Sequence, residues 1–353
     1  MNLFFTYDIL PSRVVFGAGA FAKLRDEVAR LGAKRALVLS TPDQRCLAER
    51  AVESLGGLCT GAFHGAVMHV PREVVSEALA VVSRINADCC VAIGGGSTTG
   101  LAKAIALSSQ LPIVCIPTTY AGSEMTPIWG ITENNLKSTG RDLRVLPKTV
   151  IYDPELTLTM PVMMSVTSGM NAIAHCVEAL YSKDANPVVS KMAEEGIRAM
   201  AHALPGVVRS GNDIQSRSEA LSGAWLAGIS LGAVGMALHH KLCHTLGGTF
   251  QLPHAETHTV ILPHAIAYNS AAAPEAMAIT ARALGAPSAA PGLFDLATSL
   301  GAPTSLEALG MKEADLPQAA ALATQSPYPN PAPLTYDGIL TLLRNAFHGI
   351  RPA

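Results

Sequence analysis

The chain has 353 residues, 49% of them hydrophobic and 15% charged, which supplies a large core and excludes disorder as its general state. Its length suits two domains better than one. A net charge of −2, with no basic stretch or acidic tail, argues against nucleic acid and anionic membranes as partners.

The first nineteen residues carry no basic leader and only a short apolar cluster, so they do not read as a signal peptide. No apolar run elsewhere reaches the ~18 to 20 residues that span a bilayer. A soluble, cytoplasmic protein is expected. The seven cysteines include no CxxC pair, which fits reduced thiols.

Short β-rich runs then alternate with amphipathic helical patterns, the signature of a parallel sheet. Strands are predicted over 13–16, 35–40, 58–63, 89–93, 111–117 and 150–152. Helices are predicted over 21–31, from Pro42 onward, from Pro71 to about Asn86, and over 101–108. Beyond residue 158 only helical periodicities stand out, over 168–182, 187–204, 214–231, 237–246 and 262–269. The expected organisation is an α/β dinucleotide-binding domain over 1–158, followed by an all-helical substrate domain over 159–353. Residues 285–292, rich in Ala, Pro and Gly, read as a loop, and the proline-rich run 326–333 cannot be helical.

Two buried strands end in small residues with hydroxyl groups. The first runs into Gly94, Gly95, Gly96, Ser97 and Thr98, the second into Thr118 and Thr119. Glycines let backbone N–H groups approach a pyrophosphate, and a following helix N-terminus adds about half a positive charge. Paired, such loops form the crevice where doubly wound sheets bind nucleotides. The pattern is not GxGxxG. The strand over 35–40 ends in Ser40, Thr41 and Pro42, where an NAD-selective enzyme often places an acid. A neutral end predicts use of both NADH and NADPH.

The second half carries six of the eleven histidines between His239 and His264. His240 and His244 are four residues apart on one predicted helix and share a face, as do Asn171 and His175 on an earlier one. Two such helices can converge on one pocket. Lys241 lies between the paired histidines and Tyr328 in the proline-rich run, and each has a bland alternative as a solvated or packing residue. His264 is taken as structural.

The sequence resembles the iron-containing, group III alcohol dehydrogenase family. The resemblance rests on Phe16-Gly-Ala-Gly19, His69-Val-Pro71, Gly94-Gly-Gly-Ser97 with Ala102-Lys103, Pro117-Thr-Thr119, Asp153-Pro-Glu-Leu156, His240-x-x-x-His244, Pro253-His254, Leu262-Pro-His264 and Asn330-Pro331. It implies the α/β plus all-α fold shared with dehydroquinate synthase-like enzymes, a nicotinamide cofactor, a homodimer, and a divalent metal held by one Asp and three His. The matching positions here are Asn171, His175, His240 and His254. The Asp is thus an Asn, and the acid usual in the glycine motif is Gly100.

A neutral amide is a poorer ligand for Fe²⁺ or Zn²⁺ than a carboxylate, so the resemblance implies only a vestigial site and no obligatory metal. Together with His239-His-Lys-Leu-Cys-His244 and Pro253-His-Ala-Glu-Thr-His258, these departures resemble the branch that reduces maleylacetate to 3-oxoadipate in aromatic-compound degradation. For that dicarboxylate, His240, Lys241, His244, His254, His175 and Tyr328 are the expected catalytic groups. The alternatives are a metal-dependent alcohol or polyol dehydrogenase, a lyase like dehydroquinate synthase, and a non-catalytic nucleotide-binding protein.

Overall fold

The computed structural model describes residues 5–134, 136–325 and 328–353. The N-terminal strands are β1 (Arg13–Phe16), β2 (Ala36–Leu39), β3 (Cys59–Phe63), β4 (Cys89–Gly94), β5 (Ile113–Pro117), β6 (Ile128–Glu133), β7 (Leu136–Arg141) and β8 (Thr149–Tyr152). Six of them pair in parallel in the order β1-β8-β5-β4-β2-β3. The inner strands β2, β4, β5 and β8 are buried at every position, as a parallel sheet covered on both faces requires. The helices α1 (Leu24–Arg30), α2 (Arg45–Leu55), α3 (Arg72–Arg84) and α4 (Gly96–Ser109) connect or follow them. Val28, Ala48, Leu55, Val91, Ile93, Val114 and Ile151 share one core, where each large aliphatic side chain contributes roughly 1.5 to 3 kcal/mol.

Two motifs of the family resemblance have a structural explanation in this unit. The Asp153 carboxylate accepts from the N–H groups of Gly19, Phe21 and Glu155 at 3.2, 2.9 and 3.0 Å. It thereby caps two short 3₁₀ turns and joins the Phe16-to-Gly19 turn to the end of β8. The fully buried Lys103 ammonium donates to Ser123 O, Thr126 Oγ1 and Ile128 O at 2.6, 2.9 and 2.8 Å, fastening the segment after β5 to α4. Burial lowers its pKa to about 7.

Among the described residues of the second unit the regular elements are all helical: α5 (Val162–Tyr181), α6 (Pro187–Arg209), α7 (Ile214–Ala233), α8 (Leu238–Phe250), α9 (His254–Asn269), α10 (Pro274–Leu284), α11 (Ala289–Ser299), α12 (Leu316–Thr324) and α13 (Tyr336–Phe347), with one short 3₁₀ turn before α12. Every residue of α5 from Ser165 to Leu180 is buried, which makes it the central helix. Asn186 and Asp213 cap α6 and α7 through their side-chain oxygens. The two helices pack closely at glycine: a Cβ on Gly223 would lie 3.1 Å from the Met200 backbone nitrogen. Ile9–Met160 forms one compact unit, and Pro161–Ala353 with the described residues up to Asp8 forms the other. Among the described residues no single helix is long and apolar enough to cross a membrane.

Several expectations need correction. The β6–β7 hairpin was not anticipated, because β7 has a single large apolar residue, Leu136, and that one is exposed. Residues 289–292 are not loop but the first turn of α11. The helix expected from Leu262 begins at His254, so His254 and His258 also lie one turn apart on a helix. In the run 326–333, Ser326 and Pro327 lie outside the described residues, and 328–333 is non-helical.

Candidate active site

The carboxyl ends of β2, β4 and β5 lie side by side, because those strands are neighbours in the sheet. They bring together Ser40, Thr41 and Pro42 with Gly94, Gly95, Gly96, Ser97 and Thr98, and with Thr118 and Thr119. Gln44, which sequence reasoning missed, links the loop after β2 to the loop after β5: it donates to Thr118 Oγ1 at 2.7 Å and accepts from Thr41 Oγ1 at 3.4 Å.

Gly94 has φ of +151°, and a Cβ there would strike the Thr98 and Gln44 side chains. A Cβ on Gly95 would come within 3.0 Å of Thr119. α4 begins at Gly96, and the buried Thr98 Oγ1 in its first turn has no partner. A cradle too tight for side chains, an orphaned hydroxyl and a helix N-terminus fit a dinucleotide's pyrophosphate. Gly100, where the family has an acid, faces Val70, which a Cβ at Gly100 would approach to 2.7 Å.

In the helical unit, α5, α8 and α9 carry the histidines. The His175 and His240 rings stack with centroids 5.1 Å apart, and His240 lies 5.1 Å from His239 and 5.0 Å from His258. His244 is 6.2 Å from His240, and His254 is 4.5 Å from His258. His244 and His254 are exposed, whereas His175, His239, His240 and His258 are buried. Burial, reinforced by neighbouring imidazoles, holds His175, His239 and His258 well below the usual histidine pKa, so all three are neutral.

Glu178, fully buried on α5, organises this cluster. Its carboxylate accepts from the N–H groups of Ala237 and His239 at 3.0 and 2.8 Å, and from His240 Nδ1 at 2.6 Å. Burial alone would raise its pKa. The hydrogen bonds from His240 and the two backbone N–H groups reverse that and hold it below the usual range. Glu178 thus caps the start of α8, fixes the His240 ring and aims Nε2 away from itself. That Nε2, with Asn171 Oδ1, His175 Nδ1 and His258 Nε2, is buried without a partner. Glu178 was missed by sequence reasoning although its signal was present: it is three residues after His175 and seven after Asn171, on the same helical face.

Tyr328 packs against the apolar core of this unit, and the Lys241 ammonium lies 5.8 Å from its ring centre. Its hydroxyl is buried without a partner, and burial, with Glu178 and Tyr268 adding to it, raises its pKa, so the phenol stays protonated. The Asn-Pro motif fixes this segment: Asn330 Nδ2 donates to Asn269 Oδ1 at 2.8 Å, and Asn269 Nδ2 returns a bond to Asn330 Oδ1 at 3.1 Å. His264 lies apart, its ring 6.4 Å from Phe294, and burial lowers its pKa to about 4.

The four positions that match the family's metal ligands fit a divalent ion poorly. Asn171 offers a neutral amide oxygen, a weaker ligand than the carboxylate that would offset part of the ion's charge. Among the described residues, the His, Cys and acidic side chains whose ligand atoms do lie within 4.8 Å of one another are a different set, His239, Cys243 and His258.

Residues 11–154 match the iron-containing alcohol dehydrogenase family, and residues 165–347 match the C-terminal domain of the same family. The chain is 60% identical over 353 residues to a maleylacetate reductase of Burkholderia cepacia, covering all of both chains. Two crystal structures of maleylacetate reductases are also similar. That from Agrobacterium tumefaciens is 55% identical with a TM-score of 0.96, and that from Rhizobium sp. strain MTP-10005 is 54% identical with a TM-score of 0.96; each match covers 99% of both chains.

Proposed function

The chain belongs to the iron-containing alcohol dehydrogenase family, and from that premise we propose that it works as a maleylacetate reductase, adding hydride to the carbon–carbon double bond of the substrate to give 3-oxoadipate. It is an oxidoreductase acting on a small molecule. The observation that carries the mechanism is the buried Glu178–His240 pair, whose outward nitrogen has no partner among neutral histidines.

Maleylacetate is a dianionic enone. A reduced nicotinamide, bound at the glycine loop, supplies hydride to the double bond conjugated with the ketone. Negative charge then develops on the ketone oxygen as an enolate, and a proton at carbon completes the product. Positioned donors can stabilise an enolate without a Lewis acid. Glu178 keeps the His240 Nδ1–H in place and turns Nε2 toward the cluster, and a proton carried on Nε2 is the assigned donor to the enolate oxygen. His175 and the protonated phenol of Tyr328 supply further N–H and O–H groups. The exposed His244 and His254, with Lys241, are assigned to the substrate carboxylates. No step is routed through a metal.

Cofactor use follows from the end of β2. Buried Ser40 stands 2.8 Å from His64 Nδ1, and the acid nearest to it along the chain, Asp43, lies in the 3₁₀ turn that follows the strand and not at its end. Both NADH and NADPH are therefore expected to serve, in a cytoplasmic homodimer that degrades aromatic compounds. The test follows nicotinamide oxidation with freshly generated maleylacetate. Rapid turnover with either cofactor, with kcat/KM values within about a hundredfold (2.7 kcal/mol) of each other, is expected. A larger preference would overturn the cofactor reading. Turnover confined to aldehydes or alcohols would overturn the substrate.

A further inference from the structure

A second set of donor atoms lies beside the groups assigned to turnover and shares no residue with the family's four metal positions. His239 stands in the first turn of α8, Cys243 one turn later, and His258 on α9. All three are buried, with ligand atoms within 4.8 Å of one another. His239 Nε2 is 2.9 Å from His258 Nδ1 and 3.7 Å from Cys243 Sγ. Nitrogen and sulfur ligands on one tetrahedral zinc ion stand about 3.3 to 3.6 Å apart. The two separations from His239 Nε2 are a few tenths of an ångström from that range, and the Cys243 and His258 ligand atoms lie within 4.8 Å of each other. Two imidazoles and a thiolate suit a borderline or soft ion, not Mg²⁺ or Ca²⁺.

We propose that His239, Cys243 and His258 form an inhibitory site for a divalent cation of the Zn²⁺ class, with water in the fourth position. On binding, the Cys243 thiol releases its proton to solvent and the thiolate ligates the ion. Burial and the nearby Glu178 hold that thiol protonated, so affinity rises with pH. The exposed His254, its ring 4.5 Å from that of His258, gives the ion a polar route inward. Inhibition follows from position: the two ligand rings lie 5.1 and 5.0 Å from His240, so drawing them onto an ion displaces the neighbours that pack that ring.

The test uses the full chain. Co²⁺ is titrated first without substrate, and Zn²⁺ is then titrated during turnover. One Co²⁺ per chain, with a near-ultraviolet thiolate-to-cobalt band and tetrahedral visible absorption, is expected in the unaltered protein. Cys243→Ser should keep metal-free turnover, lose the band, and need at least about tenfold more Zn²⁺ for half-inhibition, since one anionic ligand is gone. Absence of the thiolate band in the unaltered chain overturns the site, and equal Zn²⁺ sensitivity in both proteins overturns its role in inhibition. The cobalt reading requires no catalysis, so it stands apart from the assignment of the substrate.

Discussion

Replacing His240 with alanine is expected to lower kcat for maleylacetate by at least about 10²-fold, the usual cost of removing one positioned donor to a developing oxyanion. Alanine removes the nitrogen that faces the cluster and takes the His240 N–H from the buried Glu178 carboxylate, which keeps its bonds from Tyr181 Oη and the Ala237 and His239 N–H groups. Because the glycine loop belongs to the other compact unit, NADH binding should change little. The loss should thus fall on kcat, with the cofactor dissociation constant intact by fluorescence titration. His244→Ala, at an exposed position in the middle of α8, should act more on KM for the dianion. Near-normal turnover in both variants would remove the histidine cluster from the mechanism.

Glu178→Gln should be the next most damaging change, since outer partners that orient an imidazole are typically worth 10- to 100-fold. Glutamine keeps the shape and one oxygen, so α8 can remain capped. Its amide N–H₂ cannot accept the His240 Nδ1–H. A fall in kcat with little change in KM for NADH is expected. A second readout comes from linkage. The folded-state pKa of Glu178 is lowered, so its contribution to stability is full above the unfolded carboxyl pKa of about 4.3 and disappears as pH falls through the lower folded value. Thermal melts should therefore lose stability toward acid less steeply for the Gln variant than for the parent. Parallel melts, together with unchanged kcat, would reduce Glu178 to a space-filling role.

What could be read in advance followed burial. The parallel sheet was legible because β2, β4, β5 and β8 are short, apolar and enclosed, and the glycine loops were legible because each directly follows such a strand. The hairpin was not, since β7 (Leu-Lys-Ser-Thr-Gly-Arg) has no apolar alternation to detect. The start of α9 was hidden for a related reason. Its first turns, His-Ala-Glu-Thr-His-Thr, are polar, with His254 exposed and His258 buried against His239, so no 3.6-residue apolar period appears before Val260. The meeting of His175 with His240, and of His240 with His244, was readable from i, i+4 spacing. The acid behind them was passed over because Glu178 stands in an apolar run, where its partners are backbone N–H groups of a different helix.

The account centres on enone reduction by donors of the protein itself, without an obligatory metal. The most direct test is to treat the protein with EDTA, assay its residual metal, and measure NADH oxidation with maleylacetate before and after. Unchanged turnover in metal-depleted protein, not increased by added Fe²⁺, is the expected result. Loss of activity on chelation that Fe²⁺ or Zn²⁺ restores would contradict the account and return Asn171, His175, His240 and His254 to the role of metal ligands.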